Sequence, residues 1–301
     1  VMNKSLIIIP VLFLVVSSTT HVYSETLSAG INLLKDNSGR NFVLYIPKKV
    51  YGNPECGELF VAIHGFSTQE SGQHIMKKLQ RTAMRWKRLA DRKNLVILAP
   101  HFERKHFFGR YQRLNIIEKR NQRAKIRADQ WLHQLVSRTK TLLPGIKADT
   151  YYMFGFSGGG QFTLRYALFY PDKIKKAVIG APGWYTYPDT SLPYPIGINM
   201  PPSYNIDRKP DVRKFLSKEL CVVVGKNDRQ QGAFRTTWRR YDLMKLQGTG
   251  RKERAEKFYS ALRKEAEKRG VPCSIRLLKI DDTAHVISRA LRAAVEKFIS
   301  E

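Results

Sequence analysis

The stretch Thr150-Tyr151-Tyr152-Met153-Phe154 followed by Gly155-Phe156-Ser157-Gly158-Gly159 decides how this chain is read. The first five residues are β-branched and aromatic, the composition of a buried strand. The next five form a G-x-S-x-G motif. Gly160 to Leu168 then continue as a helix that ends before Pro171. The same letters arise by chance in glycine-rich loops, so the setting matters more than the motif. A strand, a sharp turn and a helix in that order lift a serine hydroxyl out at the end of a sheet. The helix N-terminus beneath it favours the negative charge of an oxyanion.

Outward from this turn, apolar strand segments alternate with helical ones. Phe42–Ile46, Leu59–Ile63, Leu95–Ala99, Ala177–Ile179, Cys221–Val224 and Ile275–Ile280 read as strands. Helices are expected over 77–93, 123–143, 252–269 and 286–299. Continuous apolar strands alternating with helices predict a mostly parallel sheet covered on both faces, with ligands at the carboxyl ends of the strands. Residues 182–210 break the pattern. They hold seven of the fourteen prolines together with Trp184, Tyr185, Tyr187, Tyr194 and Tyr204. Such a segment is too long for an ordinary connection and too aromatic for a disordered linker. It is expected to be an ordered lid. Two readings of Trp184, Tyr185, Tyr187 and Tyr194 stay open: the wall of a substrate pocket, or the packing of the lid onto the core.

The N-terminal residues have the form of a targeting segment. Lys4 precedes an apolar run over 6–16, and Val22-Tyr23-Ser24 is a small-residue cleavage pattern. Residues 1–24 are therefore expected to be a signal peptide, and 25–301 one domain, exported to the periplasm or secreted. The run is too short to span a bilayer, which takes about 20 apolar residues. An uncleaved membrane anchor is the competing reading.

The chain carries 53 Lys and Arg against 25 Asp and Glu, a formal net charge of +28. The excess concentrates in 77–93, 104–127 and 235–270. Outside the cytoplasm such a surface suits an anionic membrane or cell-wall polymer. Nucleic acid is disfavoured, because no nucleic-acid module is present. The competing reading is a solvated basic face. Met76, Leu79, Ala83, Trp86 and Ala90 recur at helical spacing, which gives the first region an apolar inner side and a basic outer one.

A serine hydroxyl needs a base, a group that orients the base, and donors for the oxyanion. His285 follows the last strand and is the expected base. Asp228 follows Val222-Val223-Val224-Gly225 and is the expected acid, with Asp281 and Asp282 as fallbacks. The chain order Ser, acid, His suits a strand–turn–helix nucleophile. The backbone N–H groups of Phe66, after the His64-Gly65 turn, and of Gly158 are the expected oxyanion donors. His64 itself is expected to be structural. No metal site is expected, because no His-Glu-x-x-His pattern is present. No cofactor is expected either, since Gly158-Gly159-Gly160 lacks the Lys-Ser/Thr of a phosphate loop.

The His64-Gly65 turn, the Gly155–Gly159 motif, Asp228 and His285 resemble an α/β-hydrolase. The stretch from Gly155 to Tyr187 resembles secreted esterases of the polyhydroxybutyrate-depolymerase and feruloyl-esterase type. The resemblance covers most of residues 40–300. It implies an α/β-hydrolase fold with an eight-stranded sheet, and hydrolysis of a small or polymeric carboxylic ester. A peptidase of the same fold, and a basic surface-binding protein with a vestigial triad, are the alternatives. In this fold the strands that Cys221 and Cys273 open are parallel neighbours. A Cys221–Cys273 disulfide with Cys56 free is therefore expected.

Overall fold

The computed structural model describes residues 26–66, 72–229 and 240–301. The targeting segment lies outside them. Eight strands form one sheet: β1 (Gly30–Lys35), β2 (Asn41–Ile46), β3 (Glu58–Ile63), β4 (Leu95–Pro100), β5 (Lys147–Phe156), β6 (Ile174–Gly180), β7 (Glu219–Gly225) and β8 (Ile275–Ile280). Their order is β1-β2-β4-β3-β5-β6-β7-β8. β2 runs antiparallel to both β1 and β4, and the pairs from β4 through β8 are parallel. The swap of β3 and β4 puts β5 near the middle. A chain that ascends β5 therefore ends beside the ends of both β3 and β6.

The apolar runs account for this placement. Leu59–Ile63, Leu95–Ala99 and Val222–Val224 are all buried, as strands covered on both faces must be. In the helix Gly158–Phe169, Phe162, Leu164, Leu168 and Phe169 are fully buried. Each such side chain contributes about 1.5–3 kcal/mol relative to exposure. That holds the turn before the helix against the sheet.

The expected helix over 77–93 is two helices, Gly72–Met84 and Lys87–Lys93, interrupted at Arg85 and Trp86. Trp86 is buried against Phe60 and Phe154 at the break. The helix expected over 123–143 begins at Ala128. β1 and the helices Val212–Leu216 and Arg240–Gln247 had no place in the sequence reading. β1 alternates Asn32 and Leu34 with exposed Leu33 and Lys35 at the sheet edge, too weak a pattern to stand out.

The Pro/Tyr segment is ordered, and Arg165 from the helix Gly158–Phe169 anchors it. The Arg165 guanidinium is buried and donates to Thr186 Oγ1 at 2.8 Å and to the carbonyl of Gln112. Thr186 in turn donates to the Pro195 carbonyl at 2.6 Å. Gln247 brackets Tyr185: its amide accepts from Tyr185 N–H and donates to Tyr185 C=O, both at 2.9 Å.

The Cys221–Cys273 disulfide is not formed; Cys56, Cys221 and Cys273 are all free. The strands are neighbours as expected, but the register opposes the bond. Cys221 faces Arg276, three residues beyond Cys273. That offset is about 10 Å along a strand, beyond the roughly 7 Å limit between bridged Cα atoms. Cys221 is buried in β7, and burial pushes its thiol up to about 12. Thiol titration of the unreduced protein in denaturant is therefore expected to give three groups per chain. In the native state Cys221 should stay silent. One thiol in denaturant would restore the disulfide.

Candidate active site

Ser157 stands between β5 and the helix Gly158–Phe169 at φ 57°, ψ −115°. A non-glycine residue in this region carries about 1–3 kcal/mol of strain, held in place by its surroundings. Here the surroundings are rigid. Ser157 N–H donates to Gly180 C=O of β6 at 2.8 Å, and Ser157 C=O accepts from Gln161 N–H at 3.1 Å. The turn is so tight that a Cβ on Gly155 would lie 2.1 Å from the Gly159 carbonyl oxygen. One on Gly159 would lie 2.4 Å from that of Ile63. Both positions exclude any side chain.

The loops after β7 and β8 are zipped together by backbone bonds. Lys226 N–H donates to Ile280 C=O at 2.8 Å and Asn227 N–H to Thr283 C=O at 3.0 Å. This delivers Asp228 to His285. His285 Nδ1 donates to Asp228 Oδ2 at 2.6 Å, which leaves Nε2 as the free nitrogen of the neutral ring. The Asp228 side chain is fully buried, and Arg251 Nη1 lies 3.4 Å from its other oxygen. The His285 ring packs on Phe156, the residue before Ser157, with centroids 4.8 Å apart. Among the described residues Ser157 Oγ and His285 form no hydrogen bond. Such bonds are often long in ligand-free sites and tighten with substrate. The fallback acids are elsewhere: Asp281 pairs with Lys226 at 2.5 Å and is largely exposed, and Asp282 occupies a turn at φ 47°.

The His64-Gly65-Phe66 turn abuts the start of the helix. A Cβ on Gly158 would stand 3.0 Å from Phe66 N. Three bonds fix the turn. His64 Nε2 accepts from Phe102 N–H at 3.0 Å, so the ring proton lies on Nδ1, which donates to Gly65 C=O at 2.7 Å. The buried Tyr111 hydroxyl donates to His64 C=O at 3.0 Å. Burial holds the His64 imidazole well below the ordinary histidine range, and the neighbouring Lys78 and His101 push the same way. His64 is thus a neutral structural residue, as the sequence suggests. Ser67, which follows, lies outside the described residues.

Of the two readings of Trp184, Tyr185, Tyr187 and Tyr194, pocket wall or packing, the second fits: all four side chains are buried in packing. Tyr185 stacks on Phe258 with centroids 4.4 Å apart, and Tyr187 meets the same ring edge-on. Tyr194 donates to Arg113 C=O at 2.6 Å. Trp184 packs with Ile196 and lies under the Arg254 guanidinium. None of them lines the cavity beside Ser157. That cavity, of about 410 Å³, is formed by Phe66, Phe156, Ile287 and the basic face of Gly72–Met84. Arg251, Tyr111 and Arg165 had no place in the sequence reading. Arg251 and Arg165 look like surface charges until the fold buries them. Among the described residues no cluster of His, Cys, Asp or Glu is arranged to hold a metal ion.

No protein-family model and no curated protein matches this sequence. Solved structures do. Poly(aspartic acid) hydrolase-1 from Sphingomonas sp. KT-1 is 24% identical with a TM-score of 0.72, covering 91% of this chain and 100% of its own. A poly(3-hydroxybutyrate) depolymerase from Bordetella parapertussis is 22% identical with a TM-score of 0.68, covering 90% of this chain and 88% of its own. The chain has the α/β-hydrolase fold. An S-formylglutathione hydrolase from Agrobacterium tumefaciens shares this α/β-hydrolase fold at 16% identity and a TM-score of 0.54, covering 90% of this chain and 94% of its own.

The neutral His64 has a consequence for stability. Above the ordinary histidine value of 6.5 both folded and unfolded chains leave it neutral. As pH falls below that value the unfolded chain binds a proton that the folded one refuses, so stability falls. The urea midpoint is expected to drop between pH ~7 and ~5, and to drop less in a His64→Gln variant. Equal slopes would show that His64 titrates normally in the fold.

Proposed function

We propose that this chain is an exported serine hydrolase that cleaves a carboxylic ester through an acyl-enzyme on Ser157. The observation that carries the reading is the pairing of two features. Ser157 is held at φ 57° in the turn after β5, and the Asp228–His285 hydrogen bond of 2.6 Å lies against the adjacent Phe156. In this reading Ser157 Oγ attacks the ester carbonyl as His285 Nε2 takes its proton. The carbonyl oxygen gains negative charge and is met by the N–H groups of Phe66 and Gly158. His285 then protonates the departing alkoxide, leaving the acyl group on Ser157. Water, deprotonated by His285, attacks that ester, and the acid leaves as Ser157 regains its proton. Asp228 holds the imidazole in its tautomer and stabilises the imidazolium.

The names of the structural neighbours support hydrolysis of small or polymeric substrates, including a poly(3-hydroxybutyrate) and a poly(aspartic acid). The second of these names keeps a peptidase-type, amide-cleaving alternative in view. The net charge supports attachment to an anionic membrane or wall, where a polymeric substrate would be met. Export rests on the N-terminal pattern, and intact-mass analysis of the exported chain tests the cut after Ser24.

Kinetics on a chromogenic short-chain ester test the chemistry. Ser157→Ala is expected to reduce kcat by about 10³-fold or more. Asp228→Asn is expected to reduce it by up to about 10⁴-fold, because the wrong imidazole tautomer is then favoured. Parent rates in Ser157→Ala would sink the proposal. On matched substrates the ester is expected to turn over faster than the amide; the reverse order would favour the peptidase reading.

A further inference from the structure

The cavity beside Ser157 is lined on one side by Lys77, Lys78, Arg81 and Arg85, and no Asp or Glu lines it. Lys77, Arg81 and Arg85 follow one another at intervals of four, a single stripe running from the helix Gly72–Met84 into the break after it. Like charges at that spacing repel along a helix. Among the described residues no carboxylate lies within salt-bridge distance of Lys77, Arg81 or Arg85. Arg85 is half-buried, and Arg292 is close enough to add repulsion of its own. Several basic groups elsewhere are paired, as in Lys87 with Asp91, Arg127 with Asp129 and Lys175 with Glu58. The stripe lines the cavity with no carboxylate beside it.

Phe66 and Phe156 line the same cavity. Phe66 carries one candidate oxyanion donor, and Phe156 precedes Ser157 and stacks on His285. A group seated in the cavity would lie against these neighbours of the candidate nucleophile and base. A second cavity lies near Phe66. A Cβ on Gly109 would lie 3.5 Å from the Phe66 ring, and Phe108 and Arg110 on either side of Gly109 line a space of about 480 Å³ with Arg104, Lys105 and Arg123. The lining is basic or uncharged, and Lys105 pairs with Glu103 at 2.8 Å. Basic side chains thus line both cavities. Low-dielectric walls around a cleft of one sign concentrate ligands of the other.

We propose that the substrate is anionic: a negatively charged group on it sits among Lys77, Lys78, Arg81 and Arg85 while its carbonyl lies at Ser157. The second basic cavity gives room for a further charge, as on an oligomer with repeated anionic groups. Arg81 and Arg85 set the specificity, offering planar forks that suit a carboxylate or a phosphate. This inference rests on the hydrolase reading of Ser157.

The test compares kcat/KM for three esters of one leaving group. They are p-nitrophenyl hexanoate, mono-p-nitrophenyl adipate with a terminal carboxylate, and p-nitrophenyl 5-phosphonopentanoate. At least one anionic ester is expected to be preferred over the neutral one by about tenfold or more, with the preference shrinking at high salt. Which anionic ester leads tells carboxylate from phosphate. In Arg81→Gln/Arg85→Gln the ratio of anionic to neutral kcat/KM is expected to fall about tenfold. Arg81→Gln alone serves if the double variant does not fold. Lys268→Gln, an exposed charge on the helix Arg251–Arg269, controls for net charge and should leave the ratio unchanged. Hydrolysis without an anionic preference, or a preference that Arg81→Gln leaves intact or that Lys268→Gln removes equally, overturns this inference alone. No hydrolysis of any of the three, with Ser157 unreactive, overturns the hydrolase reading with it.

Discussion

A single residue, Ser157, must turn the chain from the end of β5 into a helix, and the rest of the structure is arranged so that it can. Its backbone is strained at φ 57°, ψ −115°. The strain persists because nothing nearby yields. The Gly159 carbonyl lies against Gly155, the Ile63 carbonyl lies against Gly159, and β6 takes the Ser157 N–H. The helix that follows is buried along almost its whole length. Apolar burial thus supplies the free energy that holds a locally unfavourable turn.

The charged groups around this turn fall into two kinds. Asp228 is buried and would be strongly unfavourable alone; His285 and Arg251 each face one of its oxygens. Arg165 is buried too, with burial pulling it down to about 10, and its donors are taken up by carbonyl and side-chain oxygens of the Pro/Tyr segment and its neighbours. It remains charged at neutral pH and serves as a clamp. The second kind is the basic stripe of Gly72–Met84, whose charges point into a cavity and at each other. The first kind stabilises the fold. Among the described residues no carboxylate pairs with Lys77, Arg81 or Arg85, which is why the stripe reads as a binding feature.

Much of this was legible in the sequence, for particular reasons. The parallel strands are continuous apolar runs, and each ends at a glycine, a proline or a polar turn that marks the functional edge. Ser157, Asp228 and His285 stand out because each follows such a run in chain order. The structure brings Asp228 and His285 into contact and sets His285 against the neighbour of Ser157. Features set by long-range geometry were not legible. The Cys221–Cys273 pairing fails on register, which a three-residue offset decides and no local signal encodes. The aromatic residues of 182–210 suit a pocket wall and a packed lid equally by composition; only the position of Phe258 and Arg165 assigns them to packing. Arg251 is indistinguishable in sequence from the solvated charges around it.

The most direct test of the account is reaction of the folded protein with a fluorophosphonate, followed by peptide mapping. One modified residue is expected, Ser157, with labelling abolished in His285→Ala while that variant stays folded. Labelling that is absent from the native protein, that falls on another serine, or that persists undiminished without His285 would contradict it.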